Sequence, residues 1–315
     1  MSAYTDSRSQ PGKKGQSGTD DRELFLTEFG QMVLEAWAET NDFESHTYTR
    51  TIQRGKADSF PIIGRKRDAT EHTPGELITG GTVEHNEKII SLDKMLVDSA
   101  FVAEVDELMA HYDIQAPYAR QLGESLSTTF DKRVAIMHVL ASRVTVPDYQ
   151  GGPVPSYAFH ANMATDPAQL ETAYFKAVEY IKTYDIGGGD IKAFLPWAQY
   201  LLLSRYTGID AEVTTGQGDR GNAKVGLVAG IATKGTNHIP KTNITTGNAK
   251  FQGNFVNTVG FISNPMAVGT LNRRGLRVVM KEQEDRLGTL LIASKFSGHD
   301  KLRCECSFEL ATVTR

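Results

Sequence analysis

The chain has 315 residues, of which 40% are hydrophobic, and its formal net charge is −4. This size is sufficient for a sizeable core in one elaborate domain or two simpler ones. The acidic balance argues against a protein that binds nucleic acid by neutralising phosphates. No apolar segment resembles a secretory signal or a membrane span, so the sequence indicates a soluble protein made in the cytosol.

The N-terminal segment combines a polar tail with an amphipathic helix. Residues 1–20 are rich in Gly, Ser and Gln, so we expect them to be disordered. A helix is predicted to start at Asp20, since Glu23 completes the spacing of a capping box. Alone, such a helix is marginal in water, so it needs a surface to lie on. That surface is either its own domain or, if the helix is an arm, a neighbouring subunit. Its apolar face comprises Phe25, Phe29, Met32, Val33, Ala36 and Trp37.

A ribbon of two antiparallel strands is predicted next. Residues 46–63 and 84–97 have strand character, and the polar, turn-rich residues between them form a long charged tip. Isolated ribbons are marginally stable, so contacts outside the domain are expected. The charged tip is either a solvated loop or an intersubunit contact. Its residues are Arg65, Lys66, Arg67, Glu71 and Glu76.

The longest predicted element is a helix from Pro117 to Val144. Apolar residues recur in it at intervals of three and four, the helical period. Gly123 is unfavourable within a helix, which indicates a close backbone contact there. A shorter amphipathic helix is predicted before it, over Ser99–Asp113. The candidate packing residues of the long helix are Leu122, Leu126, Phe130 and Met137.

The remaining chain mixes helices and strands, and we predict the α+β class. Asp166 and Pro167 begin a helix as N-cap and first residue. Strands are predicted over 191–195 and in four segments after residue 256. Residues 224–235 form either a strand pair or one bulged strand, and residues 197–206 form a short helix. The long helix should pack across a sheet formed largely by the C-terminal part.

Motifs that would indicate catalysis are weak. Residues 216–221 spell G-x-G-x-x-G, but a strand pattern follows instead of a helix, so a flexible loop is expected. Cys304 and Cys306 would point to the same face of a predicted strand, which is poor geometry for a disulfide. The sequence therefore predicts no catalytic residues, no metal site and no cofactor.

Several phrases, in order, resemble one family. They are ELFLTEFGQMVLEAW, SFPIIGR, HTPGE, EHNEKIISLDKML, HYDIQAPYARQLGESL, VAGIATKGTNHIP, FISNPMAVGT and SGHDKLRCE. Together they resemble the major capsid protein of short-tailed, T-seven-like bacteriophages (podoviruses). The resemblance runs from Glu23 to the C-terminus and is closest over 23–126. It implies the Hong Kong 97-type capsid fold, an α+β architecture in which an N-terminal arm and an extended loop reach over neighbouring subunits.

The resemblance also assigns domains. It implies an N-arm at 21–45, an E-loop at 46–97, a P-domain at 98–185 with its spine helix at 117–144, an A-domain at 186–270, and strands returning to the P-domain at 271–315. The N-arm residues expected in intersubunit contacts are Phe25, Phe29, Met32, Val33 and Trp37, and the E-loop residues are those of the charged tip.

The implied function is structural. Copies would assemble as hexamers and pentamers into an icosahedral shell around a double-stranded DNA genome, which the shell encloses without specific binding. The family further implies a scaffolding protein, a portal at one vertex, a virion location after assembly in the host cytoplasm, and no membrane. Lys56 and Lys66 lie on or near the E-loop, yet we predict no covalent cross-link. The alternatives are an encapsulin-like cargo compartment and an enzyme with a nucleotide site in 187–221.

Overall fold

The computed structural model describes residues 30–38, 41–64, 66, 69, 71–75, 77–78, 80–103, 115–187, 190–206, 225 and 227–314. The chain divides into two compact units. The first comprises Met1–Asn41, Met95–Thr128 and Arg274–Lys295, and the second comprises Asp42–Lys94, Thr129–Arg273 and Phe296–Arg315. Predictions for residues 1–20, for 104–113 and for the 216–221 loop therefore fall outside the described residues.

The described helices are α1 (residues 30–38), α2 (Gln115–Ser142), α3 (Pro167–Thr183) and α4 (Trp197–Arg205). The strands are β1 Tyr48–Thr51, β2 Ala57–Ile63, β3 His85–Ser91, β4 Leu96–Ala103, β5 Tyr157–Phe159, β6 Lys192–Leu195, β7 Leu227–Val228, β8 Ile231–Gly235, β9 Asn243–Ile244, β10 Gly253–Asn254, β11 Thr258–Ser263, β12 Val268–Gln283, β13 Gly288–Lys301 and β14 Ser307–Ala311. None of these helices combines the length and the apolar character that crossing a membrane requires.

In the first unit, α1 lies directly on the N-terminal half of α2. A Cβ atom added at Gly123 would lie 2.7 Å from the Val33 carbonyl oxygen and 2.8 Å from the Ala36 Cβ. Only glycine permits this approach, because any side chain would push the two backbones apart. The close contact predicted from Gly123 is confirmed, and the long helix lies two residues upstream of its predicted bounds.

The first unit also contains one clear correction. Residues 99–103 belong to β4, which pairs antiparallel with β13 from Leu96↔Lys295 to Ala103↔Gly288. The helix predicted over Ser99–Asp113 is therefore wrong over that part. Burial in β4 alternates between neighbouring residues, the period of a strand. Pairing with a segment almost two hundred residues away thus overrides a local pattern that also fits a helix.

The second unit is built on a six-stranded sheet in the order β5-β14-β11-β6-β8-β7. All six residues of β11 are buried, so this strand lies at the centre of the core. The C-terminal half of α2 packs on it, where the His138 ring stacks on Phe261 with centroids 5.2 Å apart. Packing of the helix on a sheet is confirmed, although four of the six strands precede the C-terminal part of the chain.

Three local predictions in the second unit can be compared with the structure. Asp166 caps α3 by accepting from the Ala168 N–H at 3.0 Å, as predicted. Residues 227–235 form a strand pair, whose turn places Ala229 at φ 50° and Gly230 at φ 81°. Two positive φ values are those of a type I′ hairpin. Cys304 and Cys306, however, lie in a 3-10 turn and are both buried, so their assignment to a strand is wrong.

The predicted ribbon forms over 57–63 and 85–91, whereas residues 48–51 and 96–97 of its predicted strands pair with β12 and β13 instead. Strands β2 and β3 pair antiparallel from Ala57↔Ser91 to Ile63↔His85. Just before the ribbon, β1 pairs in parallel with β12, from Tyr48↔Gly269 to Thr51↔Asn272. Within their sheet, β12 and β13 are neighbours.

Candidate functional site

The ribbon has one buried and one exposed face. Phe60, Ile62 and Ile90 are at most 1% exposed and pack with Leu271 and Leu302 of the same unit. This contact anchors the base of the ribbon, since burying a large apolar side chain contributes about 1.5–3 kcal/mol.

The opposite face of the ribbon carries apolar side chains without cover. Ile63 is 54% exposed and Ile89 is 68% exposed, and Leu77 and Ile78 beyond the strands are 87% and 78% exposed. These four exposed apolar side chains, two on the open face and two in the connection between the strands, are candidates for contact with another protein.

The charged tip predicted as an intersubunit contact is only partly described. Lys66 and Glu71 are exposed. Arg65, Arg67 and Glu76 lie outside the described residues. The exposure of Lys66 and Glu71 is compatible with both interpretations of this tip, solvated loop and contact.

The N-terminal helix contributes to the core of its own unit. Val33 and Trp37 are buried, and the Trp37 ring lies 3.9 Å from the Lys295 ammonium, a cation–π contact. Met32 is 37% exposed and Leu34 is 50% exposed. Phe25 and Phe29 lie outside the described residues. Of the five residues predicted to contact a neighbouring subunit, Val33 and Trp37 therefore pack within their own unit, and the Met32 side chain is accessible.

The four packing residues predicted on the long helix are all buried. Leu122 and Leu126 lie in the first unit, and Phe130 and Met137 lie in the second. Phe130 meets the His299 ring edge-on, with centroids 4.8 Å apart. The periodicity of the helix therefore identified its buried face.

A polar cluster surrounds Asp131, whose side chain is fully buried in the second unit. Its carboxylate accepts from the Asp42 N–H at 2.7 Å and lies 3.0 Å from His238 Nδ1. Burial raises the pKa of Asp131, and the hydrogen bond with His238 opposes that shift. The three side chains have the spacing of a metal site. However, the Lys234 ammonium lies 2.8 Å from the Asp42 carboxylate, and the Thr236 hydroxyl donates to the same carboxylate at 2.7 Å. Protein donors therefore already satisfy the Asp42 carboxylate.

A second charged pair joins the end of the long helix to the last strand. The Arg143 guanidinium donates to both Glu309 carboxylate oxygens, at 3.0 and 2.7 Å. The Glu309 side chain is fully buried and that of Arg143 is 24% exposed. Arg143 also donates to Thr258 at 3.0 Å and lies over the Phe255 ring. A bidentate pair of this kind fixes orientation as well as contributing energy.

Two carboxyl groups meet at the base of the ribbon. Asp148 accepts from the Cys304 N–H, and burial, followed by the neighbouring Asp148 carboxyl, raises the pKa of Glu305 to about 7. Glu305 is 5% exposed, and its Oε2 has no hydrogen-bond partner among the residues that the structure describes. Arg303 donates to the Ile63 carbonyl at 2.6 Å. No sequence pattern points to these clusters, because their members are distant in the chain and follow no motif spacing.

Comparison with known proteins decides the family. The model of the Gp10A-like family, described as major capsid protein, matches residues 59–311, which is more than half of the chain. The chain belongs to the Gp10A-like family of major capsid proteins. This confirms the resemblance found in the sequence.

Curated relatives in this family match over a shorter region. The major capsid protein of Enterobacteria phage T3 is 39% identical over 137 residues, covering 43% of this chain and 39% of its own length. That of Escherichia phage T7 is 36% identical over 125 residues, covering 39% of this chain and 36% of its own. The chain therefore spans less than half the length of the curated relatives it matches.

Solved capsids extend the similarity to the whole chain. The capsid structure of Cyanophage P-SCSP1u superposes with a TM-score of 0.78 at 30% identity and covers 100% of both chains. The mature capsid of bacteriophage PhiM1 gives a TM-score of 0.71 at 17% identity, over 87% of this chain and 88% of its own. The predicted Hong Kong 97-type fold is confirmed.

The two alternatives are not supported by these matches. A virus-like particle from Pyrococcus furiosus superposes with a TM-score of 0.56 at 14% identity, covering 91% of this chain and 99% of its own, which shows the fold alone. The family match favours a phage capsid over a cargo compartment. It equally disfavours a nucleotide-binding enzyme.

Proposed function

We propose that many copies of this chain close, as hexamers and pentamers, into the icosahedral shell that encloses the double-stranded DNA genome of a bacteriophage. Family membership supports a capsid role, and the ribbon carries the argument for assembly. Its base is anchored by Phe60, Ile62 and Ile90, while its other face exposes Ile63 and Ile89 and its tip exposes Leu77 and Ile78. A neighbouring subunit would cover this apolar surface.

The proposed organisation follows the capsid fold. Residues 46–97 are the E-loop, and residues 21–45 are an arm whose last turns pack on their own spine helix. The P-domain spans 98–185, the A-domain spans 186–270, and the strands from 271 onward return to the P-domain. Met32 and the residues before it are the arm positions that we propose for contacts with a neighbour.

Further partners are proposed for assembly. A scaffolding protein directs the closure of the shell in the host cytoplasm, and a portal occupies one vertex of the virion. The shell encloses DNA without binding it specifically, which the net charge of −4 supports. Tight binding of DNA by assembled shells at physiological salt would contradict this part. Likewise, covalent multimers on a denaturing gel would contradict the predicted lack of a cross-link.

Shell formation is tested directly by electron microscopy of the purified protein, expressed with and without a candidate scaffolding protein. Closed particles, with or without scaffold, are the expected result. A monomer or dimer under every condition would count against the proposal.

The ribbon is tested by shortening it. Residues 64–84 are replaced by Asn-Gly, which joins the paired residues Ile63 and His85 with a two-residue hairpin turn. The subunit should keep its circular dichroism and its urea midpoint, because the buried face of the ribbon remains. Closed shells should be lost in electron micrographs. Loss of soluble subunit would instead show that the tip belongs to the core of its own chain.

A matched pair of point variants refines this test. The double change Leu77→Ser and Ile78→Ser removes exposed apolar side chains, so it should leave subunit stability within about 0.5 kcal/mol and reduce the yield of shells. The control changes Glu71 and His72, exposed residues of the same tip, to Ser. Equal shell yields from the two variants would argue against an apolar contact.

A further inference from the structure

A cavity of about 390 Å³ opens beside the C-terminal half of α2, within the second unit. Two exposed lysines, Lys132 and Lys241, form part of its rim. None of the described residues that line the cavity is acidic. The buried apolar side chains of its floor are Ile136, Pro196, Ile239 and Pro240. Such a site fits a ligand that has an apolar body with negative charges beside it.

The two rim lysines carry charge that the fold does not neutralise. Neither Lys132 nor Lys241 forms an ion pair with any residue that the structure describes. The nearby Asp42 carboxylate, by contrast, already pairs with Lys234 at 2.8 Å. The lysines are therefore available to carboxylates of a partner, and charge complementarity of this kind fixes the register of docking.

One wall of the cavity is held in place by the protein itself. His238 lines the cavity, and its Nδ1 lies 3.0 Å from the fully buried carboxylate of Asp131. On the same segment, the Thr236 hydroxyl donates to Asp42 at 2.7 Å and accepts from the His238 N–H at 3.3 Å. Because this wall is already fixed, less conformational entropy is lost when a ligand binds.

Helix α1 has a surface that matches the cavity and that its own unit leaves open. Val33 and Trp37 are buried, whereas Met32 is 37% exposed and Glu35 is also exposed. Residues three or four apart lie on the same side of a helix, so Met32 and Glu35 share one side. By the same spacing, the helix predicted from the sequence includes Glu28 on this side. It therefore offers an apolar side chain between two carboxylates.

We propose that the cavity receives the N-terminal helix of a second copy of this chain. Met32 enters against the apolar floor, and Glu28 and Glu35 pair with Lys132 and Lys241. The inference rests on the proposed function, because it names the surface that the arm of a neighbouring subunit contacts. One side of the arm then packs on its own spine helix, and the other side joins two subunits.

Fluorescence anisotropy of a labelled peptide of residues 20–38, titrated with the full chain, tests the contact without requiring shells. Binding should saturate, and added salt should weaken it. The double change Lys132→Glu and Lys241→Glu should weaken binding about tenfold, because two attractions become repulsions. The control changes Lys176 and Lys182, exposed lysines of α3 outside the cavity, to Glu and should bind like the wild type.

Reversing the charges of the peptide separates pairing from damage to the cavity. A peptide with Glu28→Lys and Glu35→Lys should bind the wild type about tenfold more weakly and should regain affinity for the Lys132→Glu, Lys241→Glu chain. A peptide of residues 104–113, which is also acidic and apolar, is the composition control and should not bind. Equal affinity of the native peptide for the wild-type and charge-reversed cavities would overturn the inference, as would equal affinity of the two native peptides.

These peptide results are independent of shell formation. A wild type that forms closed shells but does not distinguish the peptides would refute the arm contact and leave the proposed function standing. Specific peptide binding by a chain that never forms shells would refute the shell and not the contact.

Mixing two variants shows whether the arm comes from a second copy. A chain with a charge-reversed cavity and a chain with a charge-reversed arm should each give few shells alone. Their mixture should restore shells, because each arm then meets a cavity of opposite charge in the other copy. If shells return only in a chain that carries all four changes, the arm occupies the cavity of its own chain and the inference is wrong.

Discussion

Removing the Arg143 side chain should destabilise the second unit far more than a surface substitution would. The guanidinium donates to both carboxylate oxygens of Glu309, to Thr258 and to the Asn254 carbonyl at 2.6 Å. Arg143→Ala leaves the fully buried Glu309 carboxylate without its cation. It also removes the stacking on Phe255.

The expected loss is about 3–5 kcal/mol, the cost of breaking a buried ion pair by removing one partner. Arg143→Lys should recover only part of it, since an ammonium group cannot reproduce the bidentate contact. Changing both residues, Arg143→Met with Glu309→Met, should be milder than Arg143→Ala, because no unpaired charge remains buried. The loss of stability in Arg143→Ala therefore measures the cost of leaving the buried Glu309 carboxylate without its cation, and not the net contribution of the ion pair.

Urea unfolding of the wild type and the four variants gives the free energies directly. Arg120→Ala, an exposed arginine on the same helix, is the matched control and should lie within about 0.5 kcal/mol of the wild type. A loss below about 1 kcal/mol for Arg143→Ala would refute the reasoning, as would a double variant less stable than the single one.

Two further predictions concern other parts of the chain. Gly123→Ala should destabilise the α1–α2 contact by about 1–3 kcal/mol despite the better helix propensity of alanine, because the new Cβ meets the Val33 carbonyl at 2.7 Å. Hydrogen exchange over residues 30–38 should rise in this variant and not in Gln121→Ala, and equal exchange would contradict the overpacking argument. Burial lowers the pKa of His46 to about 4 and that of His138 well below 6.5. Below pH 6.5 the unfolded chain binds protons at these rings and the folded chain does not, so the free energy of unfolding should fall as the pH drops towards 4. For His46 alone, the fall between pH 7 and pH 5 should be about 2 kcal/mol. Urea midpoints of the wild type and of His46→Gln at both pH values measure this loss, because the comparison cancels the titration of the other groups. An identical change of stability between pH 7 and pH 5 in the two proteins would exclude it.

Sequence patterns predicted the elements whose signals are local. The long helix follows from apolar periodicity, the α3 start from Asp166 and Pro167, and the ribbon from alternating strands around a polar tip. The strand at 96–103 could not be predicted in this way, since its pairing with β13 depends on a distant segment. The 3-10 turn at Cys304 likewise depends on a side chain, Asp148, that is remote in the sequence.

The candidate site was less predictable than the fold. Burial of Leu122, Leu126, Phe130 and Met137 follows from helical spacing. By contrast, Arg143 and Glu309 are 166 residues apart, and no spacing rule links them. Arm residues were also ambiguous, because an apolar helical face fits its own core and a neighbour equally well. The burial of Val33 and Trp37, the Trp37–Lys295 contact and the close approach at Gly123 show that these residues pack within their own unit.

The parallel pairing of β1 with β12 has a consequence for biosynthesis. Residues 48–51 find their partner strand only at 269–272, and the His46 ring bonds Ser263, 217 residues later. At about 5–20 residues per second, a ribosome needs roughly 10–40 s to make the intervening chain. During that interval Phe43, fully buried in the finished protein, lacks its contacts with Phe194 and Phe261. The second unit can therefore be completed only after the C-terminal strands have been synthesised. A newly made subunit can offer its finished surface to another copy only after that step.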